Sequence, residues 1–232
     1  LFYMQKIPIK SVVITGTNGK STACKLTQHI FQTNKLDAQL GGNIGKPVLD
    51  LKIKRKSIII IEASSFQLSY TRFIKPTFAA ILNISSDHLD WHNTTLNYRN
   101  SKFKIFSKQD CNDTALLSNK KLIKLFRKKN YLSKLRIIKR DLLKNKTKKK
   151  IINDYLISEP NLENLTFAYQ ISKLFKVKEK IFLKAVNNFK GLPHRHEKFL
   201  EKNKITFIND SKATSFDSTK HALKNNKNIF WI

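Results

Sequence analysis

The sequence predicts an α/β fold with a mostly parallel sheet, and three features predict it. The first is a strand at 12–15 that runs directly into a glycine-rich turn and a helix. The second is a continuous apolar run at 57–61, typical of a strand covered on both faces. The third is that Glu62 and Asn83 directly follow buried strands. Doubly wound parallel sheets build their sites from polar residues in such places.

The glycine-rich turn has the sequence form of a cradle for nucleotide phosphates, Gly16-Thr17-Asn18-Gly19-Lys20-Ser21-Thr22. The glycines let the backbone approach the phosphates, and the N-terminus of the following helix offers partial positive charge. Lys20 would meet the terminal phosphates, and a hydroxyl of Ser21 or Thr22 would bind Mg²⁺. The standard loop has its first glycine where Ile14 stands, so this loop is a variant. An ordinary strand-turn-helix is the alternative, but the order of the residue types favours ATP binding.

Hydrophobic periodicity predicts the other elements. We expect helices at 21–34, 96–107, 161–175, 178–189 and 215–223. We expect a second strand reached through 35–40 and further strands at 57–61, 78–82, 135–138, 151–157, 205–208 and 228–232. The break Gly191-Leu192-Pro193 divides the chain into a domain over 1–190 and the βαβ start of another over 191–232.

Composition excludes several classes of protein. A chain of 232 residues can bury a good core, and no apolar run approaches the length of a membrane span or of a signal peptide. We therefore expect a soluble, cytoplasmic protein. Cys24 and Cys111 are far apart and form neither a metal-binding nor a redox spacing, so both are expected to be reduced thiols without a functional role.

The net charge of +29 raises nucleic acid as a partner, and Asp141 is the only acid in the basic stretch 120–150. Lys, Asn and Ile are nevertheless abundant along the whole chain, as expected from an AT-rich genome. The basic stretch also lacks the interleaved aromatic residues that stack on bases. A solvated basic face that helps to collect anionic nucleotides is therefore favoured over a nucleic-acid surface.

Seven motifs in order resemble those of the Mur ligases: GTNGKST at 16–22, GGNIGKP at 41–47, EASSFQL at 62–68, LNISSDHLDWH at 82–92, YRNSK at 98–102, GLPHRHE at 191–197 and NDSKAT at 209–214. The resemblance is strongest to the branch that adds D-glutamate to UDP-N-acetylmuramoyl-L-alanine. It implies a P-loop-containing central ATPase domain followed by the start of a Rossmann-like C-terminal domain. It also implies that the domain for the uridine nucleotide and most of the C-terminal domain are missing from this chain.

Two lines of argument predict a Mg²⁺ site. From its position at a strand mouth beside the loop, Glu62 can coordinate Mg²⁺, and a buried glutamate without a role would be costly. The resemblance adds His88 as a ligand of a second Mg²⁺ and Lys102 as a lysine carbamylated by CO₂, which turns a cation into a metal-binding anion. The spacing of His88 and His92 would suit zinc, but HLDWH is not HExxH and a third soft ligand is lacking. His92 is therefore interpreted as structural.

The resemblance also implies the substrate contacts. Asn164, Arg195 and Asp210 resemble residues that contact ATP, Arg195 as a charge clamp and Asp210 towards the ribose. The family usually has a histidine where this chain has Pro160, before Asn161. The remaining implied contacts are Asn43 and Ser64 towards the muramoyl-alanine substrate, and Lys212 and Thr214 towards D-glutamate. As lone polar residues, Asn43 and Ser64 could equally cap turns.

The resemblance implies an ATP-dependent ligase that works through an acyl phosphate, with ATP and Mg²⁺ as cofactors, and the phosphate loop by itself predicts the use of ATP. The alternatives are an ATP-binding module without turnover, because two substrate-holding regions are not in this chain, and a basic nucleic-acid binder. We expect little catalysis from the chain in isolation.

Overall fold

The computed structural model describes residues 9–139, 141–143, 145–213, 219, 223 and 227–232. Six parallel strands form one sheet: β1 (Lys10–Thr15), β2 (Ala38–Gly42), β3 (Ile58–Glu62), β4 (Phe78–Ile81), β5 (Thr114–Leu117) and β6 (Lys134–Ile137). Their spatial order is β2-β3-β1-β4-β5-β6, so β1 and its loop lie in the interior of the sheet. The predicted α/β fold with a parallel sheet is confirmed.

Helices connect the strands and follow them: α1 (Lys20–Thr33), α2 (Ser65–Tyr70), α3 (Leu89–His92), α4 (Thr95–Phe103), α5 (Lys120–Lys128), α6 (Asn145–Lys148), α7 (Asp154–Ile157), α8 (Glu159–Leu174) and α9 (Glu179–Asn187). Short 3₁₀ turns occur at Val48–Asp50 and Lys104–Phe106. None of the described helices combines the length and apolarity needed to cross a membrane.

Two hydrophobic clusters cover the two faces of the sheet. Successive residues of a strand point to opposite faces, so Val12 and Ile14 join one cluster while Val13 joins the other. The first cluster contains Phe31 of α1 and Phe167 of α8; the second includes residues of α2, α4 and α5. Because both faces of the sheet are covered at β3, this strand is apolar at every position over 58–61.

The chain beyond the break at 191–193 forms an antiparallel hairpin of β7 (Glu197–Lys202) and β8 (Ile205–Asn209). The predicted strand at 205–208 is present, but its partner 197–202 was not predicted. Residues 228–232 form no strand, so that prediction is wrong: a strand needs a partner, and among the described residues none pairs with them. Most of the predicted helix 215–223 lies outside the described residues.

The predicted strand at 151–157 is also wrong, because α7 occupies its second half. The Asn153 side chain accepts the Leu156 N–H (3.2 Å) and so caps α7. Its amide group donates to the carbonyls of Val186 (2.8 Å) and Phe189 (2.7 Å) at the end of α9. These long-range contacts favour a helical turn over an extended strand.

The basic stretch is mostly solvent-facing where it is described. On α5, Leu122, Ile123 and Phe126 are buried against the sheet, whereas the lysines are exposed. Asn119 caps the helix by accepting the N–H groups of Lys121 and Leu122. This arrangement agrees with a solvated basic face.

Candidate active site at the carboxyl edge of the sheet

The carboxyl ends of the central strands bring the predicted polar residues to one edge of the sheet. Ile14 of β1 pairs with Glu62 of β3, and Thr15 pairs with Ile81 of β4. The loop that follows β1 therefore lies between Glu62 and Asn83. This is the edge at which open parallel sheets bind ligands.

The phosphate loop is held in a defined conformation. Gly19 has a φ of 82°, and a Cβ at this position would lie 2.1 Å from Oδ1 of Asn164, so only glycine fits. The Lys20 ammonium group donates to the carbonyl of Thr17 (2.7 Å), which folds the lysine over its own loop. The Thr17 hydroxyl is 3.0 Å from the Tyr98 hydroxyl. The loop thus brings together a glycine, a lysine and a helix N-terminus, which are the parts of a phosphate cradle.

The two candidate hydroxyls differ in their surroundings. Thr22 is buried, and its hydroxyl lies 3.4 Å from that of Tyr155. The Ser21 hydroxyl forms no hydrogen bond to any described residue, and Ser21 is partly exposed. Of the two, Ser21 is therefore the hydroxyl that is free to bind a ligand.

Glu62 is buried at the strand mouth with only 1% of its surface exposed. Its Oε1 accepts a hydrogen bond from the Asn43 amide (2.9 Å), and the Asn43 N–H donates to the Glu62 carbonyl (2.9 Å). Its Oε2 is buried and has no hydrogen-bond partner among the described residues. A buried carboxylate oxygen without a partner is costly, and a hard cation such as Mg²⁺ would satisfy it. The residues present therefore fit Mg²⁺ at this position.

Lys102 is almost fully buried, with 1% of its surface exposed. Its Nζ donates to the Gly16 carbonyl (2.8 Å) and lies 4.5 Å from the centre of the Tyr98 ring. Burial, followed by repulsion from Lys20, lowers the pKa of Lys102 to about 7, against attraction from Asp87 and Glu62. Burial likewise lowers the pKa of Lys20, with Glu62 opposing the shift. A lysine beside the phosphate loop is thus partly neutral near pH 7.

The lowered pKa of Lys102 makes stability depend on pH. Between about pH 7 and its ordinary value of 10.5, unfolded Lys102 binds a proton that the folded chain lacks. The free energy of unfolding should therefore rise with pH across this window. We expect Lys102→Met to flatten the rise and to stabilise the chain at pH 6, as measured by urea unfolding in CO₂-free buffer. Lys124→Met, at an exposed position of α5, is the control. An unchanged slope in Lys102→Met would contradict the prediction.

His88 and His92 lie in an aromatic cluster beside the loop rather than in a zinc site. Phe66 contacts both, with its ring centre 4.8 Å from that of His88 and 5.6 Å from that of His92. His92 is buried, as expected of a structural residue, and burial lowers its pKa. His88 occupies the N-cap position of α3 in the left-handed region (φ 51°) without a side-chain cap, and its Nε2 lies 3.4 Å from Oδ2 of Asp87. Among the described residues, no group of three or more His, Cys, Asp or Glu side chains is arranged to hold a metal ion.

A cavity of about 510 Å³ opens beside the phosphate loop on the side of α8. Its wall includes the predicted contacts Asn164, Arg195 and Asp210, with the loop residues Asn18 and Gly19. Asn164 donates to Oδ1 of Asn161 (3.1 Å), and both residues are buried. The predicted ATP contacts from distant parts of the sequence therefore line one cavity.

Residues after the break complete the wall of the cavity. The His196 N–H donates to Oδ1 of Asp210 (3.1 Å), and the His196 ring lies 3.3 Å from Oδ2. Lys212 is exposed, and its N–H donates to the His194 carbonyl (3.1 Å). Thr214 lies outside the described residues.

Ser64 acts as a helix cap. Its side chain accepts the Gln67 N–H (3.2 Å), and the Gln67 side chain accepts the Ser64 N–H (3.0 Å), which is a capping box at the start of α2. Capping, which the sequence allows as the alternative to a substrate contact, is therefore the role of Ser64 in this structure. A substrate contact by Ser64 stays a prediction.

Several site residues carried no signal strong enough to single them out in the sequence. Tyr98 and Tyr155 contact loop hydroxyls, and burial raises the pKa of Tyr98 to about 12. The negative charge of Asp87 opposes the lowering of the pKa of both Lys20 and Lys102. Its place in SSDHLD, beside His88, was the available signal. Other polar residues of the cavity wall that the sequence did not single out include Ser118, Asn119, Lys139 and Glu163.

Comparison with known proteins agrees with this geometry. Residues 14–181 match the family model described as Mur ligase middle domain. A relative from Buchnera aphidicola, named UDP-N-acetylmuramoylalanine--D-glutamate ligase, is 37% identical over 235 residues, which is 96% of this chain and 53% of the relative. A relative of the same name from Rickettsia prowazekii is 32% identical over the whole chain and 56% of its own length. The chain thus spans about half the length of the curated relatives that it matches.

Solved structures share the fold. A MurF ligase from Thermotoga maritima in complex with ADP has a TM-score of 0.72 at 17% identity, over 95% of this chain and 57% of that one. The MurC structure from the same organism has a TM-score of 0.66 at 15% identity, over 96% of this chain and 55% of that one. Since the matched family model covers most of the 232 residues, this chain belongs to the Mur ligase family.

Proposed function

We propose that this chain is the ATP-binding and catalytic part of a ligase that joins D-glutamate to UDP-N-acetylmuramoyl-L-alanine. The observation that carries the proposal is the convergence of Lys20, Glu62 and Lys102 on one phosphate loop beside a cavity of about 510 Å³. The names of the relatives and the ADP bound to the Thermotoga MurF support it. The predicted cytoplasmic location belongs to the same proposal.

The reaction has two steps. The alanyl carboxylate of the first substrate attacks the γ-phosphorus of ATP, which forms an acyl phosphate and releases ADP. The amine of D-glutamate then attacks the acyl carbon, phosphate leaves, the amine loses a proton, and an amide results. The Lys20 ammonium group, held over the loop, would stabilise charge on the transferred phosphoryl group. Arg195, on the cavity wall, would clamp the same phosphates.

The groups that would hold Mg²⁺ are Glu62, His88, Lys102 and the Ser21 hydroxyl. The Thr22 hydroxyl is the alternative to that of Ser21, and it is less accessible. Bound Mg²⁺ would supply charge neutralisation for the phosphates. For Lys102 this requires carbamylation: its neutral amine adds to the carbon of CO₂, and one proton leaves the nitrogen. Burial and the lowered pKa favour this step because only the neutral amine is a nucleophile.

Other assignments complete the proposal. Asn164 and Asp210 would hold the nucleoside part of ATP, and Asn43 and Ser64 the muramoyl-alanine part. Lys212 and Thr214 would receive D-glutamate, since a lysine is a natural partner for a carboxylate. A domain over 1–190 and the start of a second over 191–232 are part of the same proposal.

The test is phosphate release by the gene product expressed at its natural length. We expect release to require ATP, UDP-N-acetylmuramoyl-L-alanine and D-glutamate together, and hydroxylamine to trap the acyl phosphate when D-glutamate is omitted. Binding of ATP without ADP formation, under all substrates, would instead support a binding module. An affinity for oligonucleotides that falls steeply as the salt concentration rises would support a nucleic-acid-binding protein.

Glu62→Gln should leave folding nearly intact and reduce phosphate release by more than about a hundredfold, because it keeps the shape and removes the charge that a hard cation needs. Asn43 can still bond to the glutamine oxygen. Phosphate release is measured against Mg²⁺ concentration, with Glu201→Gln on the exposed hairpin as the control. The same rate and Mg²⁺ dependence in Glu62→Gln would show that Glu62 is not a ligand.

A further inference from the structure

Asn83 binds the phosphate loop at three points. It follows β4, and its backbone carbonyl accepts the Thr17 N–H (3.0 Å). Its Oδ1 accepts the Asn18 N–H (2.9 Å), and its Nδ2 donates to the Asn18 carbonyl (3.3 Å). One residue therefore holds two consecutive residues of the loop that precedes Lys20.

Glu163 on α8 holds Asn83 in turn. The Asn83 amide donates to Oε2 of Glu163 (2.9 Å), and the Ser118 hydroxyl, which follows β5, donates to Oε1 (2.9 Å). Both carboxylate oxygens are thus engaged, and all three residues line the cavity. The carboxylate connects the ends of β4 and β5 to the helix that also carries Asn164 over Gly19.

This carboxylate selects one orientation of the Asn83 amide. An asparagine amide has two orientations that exchange its acceptor oxygen and its donor nitrogen. In the reversed orientation, the oxygen would face the Asn18 carbonyl and the Glu163 carboxylate, and the amide nitrogen would face the Asn18 N–H. Since an ionised carboxylate only accepts, Glu163 disfavours the reversed form and keeps the Asn18 N–H bonded.

We propose that Glu163 is a positioning residue for the phosphate loop and that it acts through Asn83. This role rests on the proposed nucleotide binding. It has Glu163 favour the binding of phosphates that its own negative charge repels. By Coulomb's law alone, a carboxylate on the cavity wall repels the phosphates of a nucleotide, so its removal should strengthen binding. Positioning predicts the opposite sign, because a loosened loop presents its N–H groups and Lys20 less well.

The test compares Mg²⁺–ADP with adenosine as ligands of the chain and of Glu163→Leu, by isothermal titration at fixed ionic strength. Fixed salt matters because the net charge of +29 attracts any anion. We expect the Kd of ADP to rise about tenfold, which corresponds to a loop that holds the binding orientation for only about one tenth of the time. The Kd of adenosine should stay within about twofold, since adenosine carries no phosphate for the loop.

A double-mutant cycle tests the route through Asn83. Asn83→Ala should weaken ADP binding at least as much as Glu163→Leu, and adding Glu163→Leu to it should cause little further loss. If Glu163→Leu does not fold, Glu163→Gln serves, because its amide can still bond to Asn83 and Ser118. For that variant we expect a loss of about two- to threefold, whereas repulsion alone predicts tighter binding.

Each other outcome overturns the inference. Tighter or unchanged ADP binding in Glu163→Leu would exclude positioning, and equal weakening of adenosine would place Glu163 on the base. Additive losses in the cycle would exclude the route through Asn83. Failure of the unmodified chain to bind ADP would overturn the proposed nucleotide site itself. Results on the variants alone would overturn only the role of Glu163.

Discussion

Replacing Lys20 by alanine is expected to abolish the stabilisation of this chain by Mg²⁺–ADP or Mg²⁺–ATP. At a nucleotide concentration of 100 times Kd, binding stabilises a folded chain by about 2.7 kcal/mol. For a chain of this size, that raises Tm by about 5 to 10 °C. The Lys20 ammonium group lies over the loop on the Thr17 carbonyl, and in the proposed site it would meet the phosphates of the nucleotide. We expect the shift in Lys20→Ala to fall below about 1 °C.

Lys25→Ala is the matched control, because Lys25 lies on the same helix but is exposed, and its ammonium group donates to the Gln28 side chain at 3.0 Å. It changes the net charge equally and should keep the full shift. Equal shifts for Lys20→Ala and the unmodified chain would remove the assignment of the loop as a phosphate cradle. A thermal-shift titration at constant ionic strength measures all three proteins.

Replacing Lys102 by alanine is expected to reduce ligase activity of the natural-length gene product by more than about a thousandfold, as the loss of a metal-binding anion would. Acetate or formate should restore part of the activity by filling the space that the side chain leaves. The physical basis is a buried amine whose pKa is lowered to about 7 beside the phosphate loop. The measurement is phosphate release with and without the added carboxylate.

Lys124→Ala is the control for this prediction, since Lys124 is exposed on α5. Lys104, nearer in sequence, is less suitable because its ammonium group donates to the Ser69 carbonyl. Full activity of Lys102→Ala would show that Lys102 is a buried structural residue and not a metal ligand. An equal loss of activity in Lys124→Ala would show that the effect is not specific to Lys102. Rescue by chloride as effective as by acetate would show that any anion suffices and would exclude a carbamate.

Local chemistry explains why much of the fold was predictable. The run at 58–61 is apolar at every position because both faces of its strand are covered, and the step from β1 to α1 needs a glycine-rich turn at one place. The predicted convergence of Glu62 on the phosphate loop followed from the rule that parallel strands end at one edge. The first two features depend on residues near one another in the chain, and the third depends on a general property of parallel sheets.

Other elements depended on residues far away in sequence. The strand β5 has only four residues, Thr114–Leu117, and is recognisable through its pairing with β4 and β6. The turn of α7 is held by Asn153 against the end of α9, and β7 exists through its partner β8. Short segments carry too little periodicity to be assigned by themselves, so their partners decide.

The α/β fold, the phosphate loop and the order of the family motifs can be predicted from the amino-acid sequence, because contiguous residues encode each of them. Folding is needed to establish that Lys102, one lysine among dozens, is buried with a pKa of about 7, and that Ser64 caps a helix. The same holds for the bond from Asn83 to Glu163, which joins residues 80 positions apart. Burial and hydrogen-bond partners are properties of the packed chain, and a motif cannot record them.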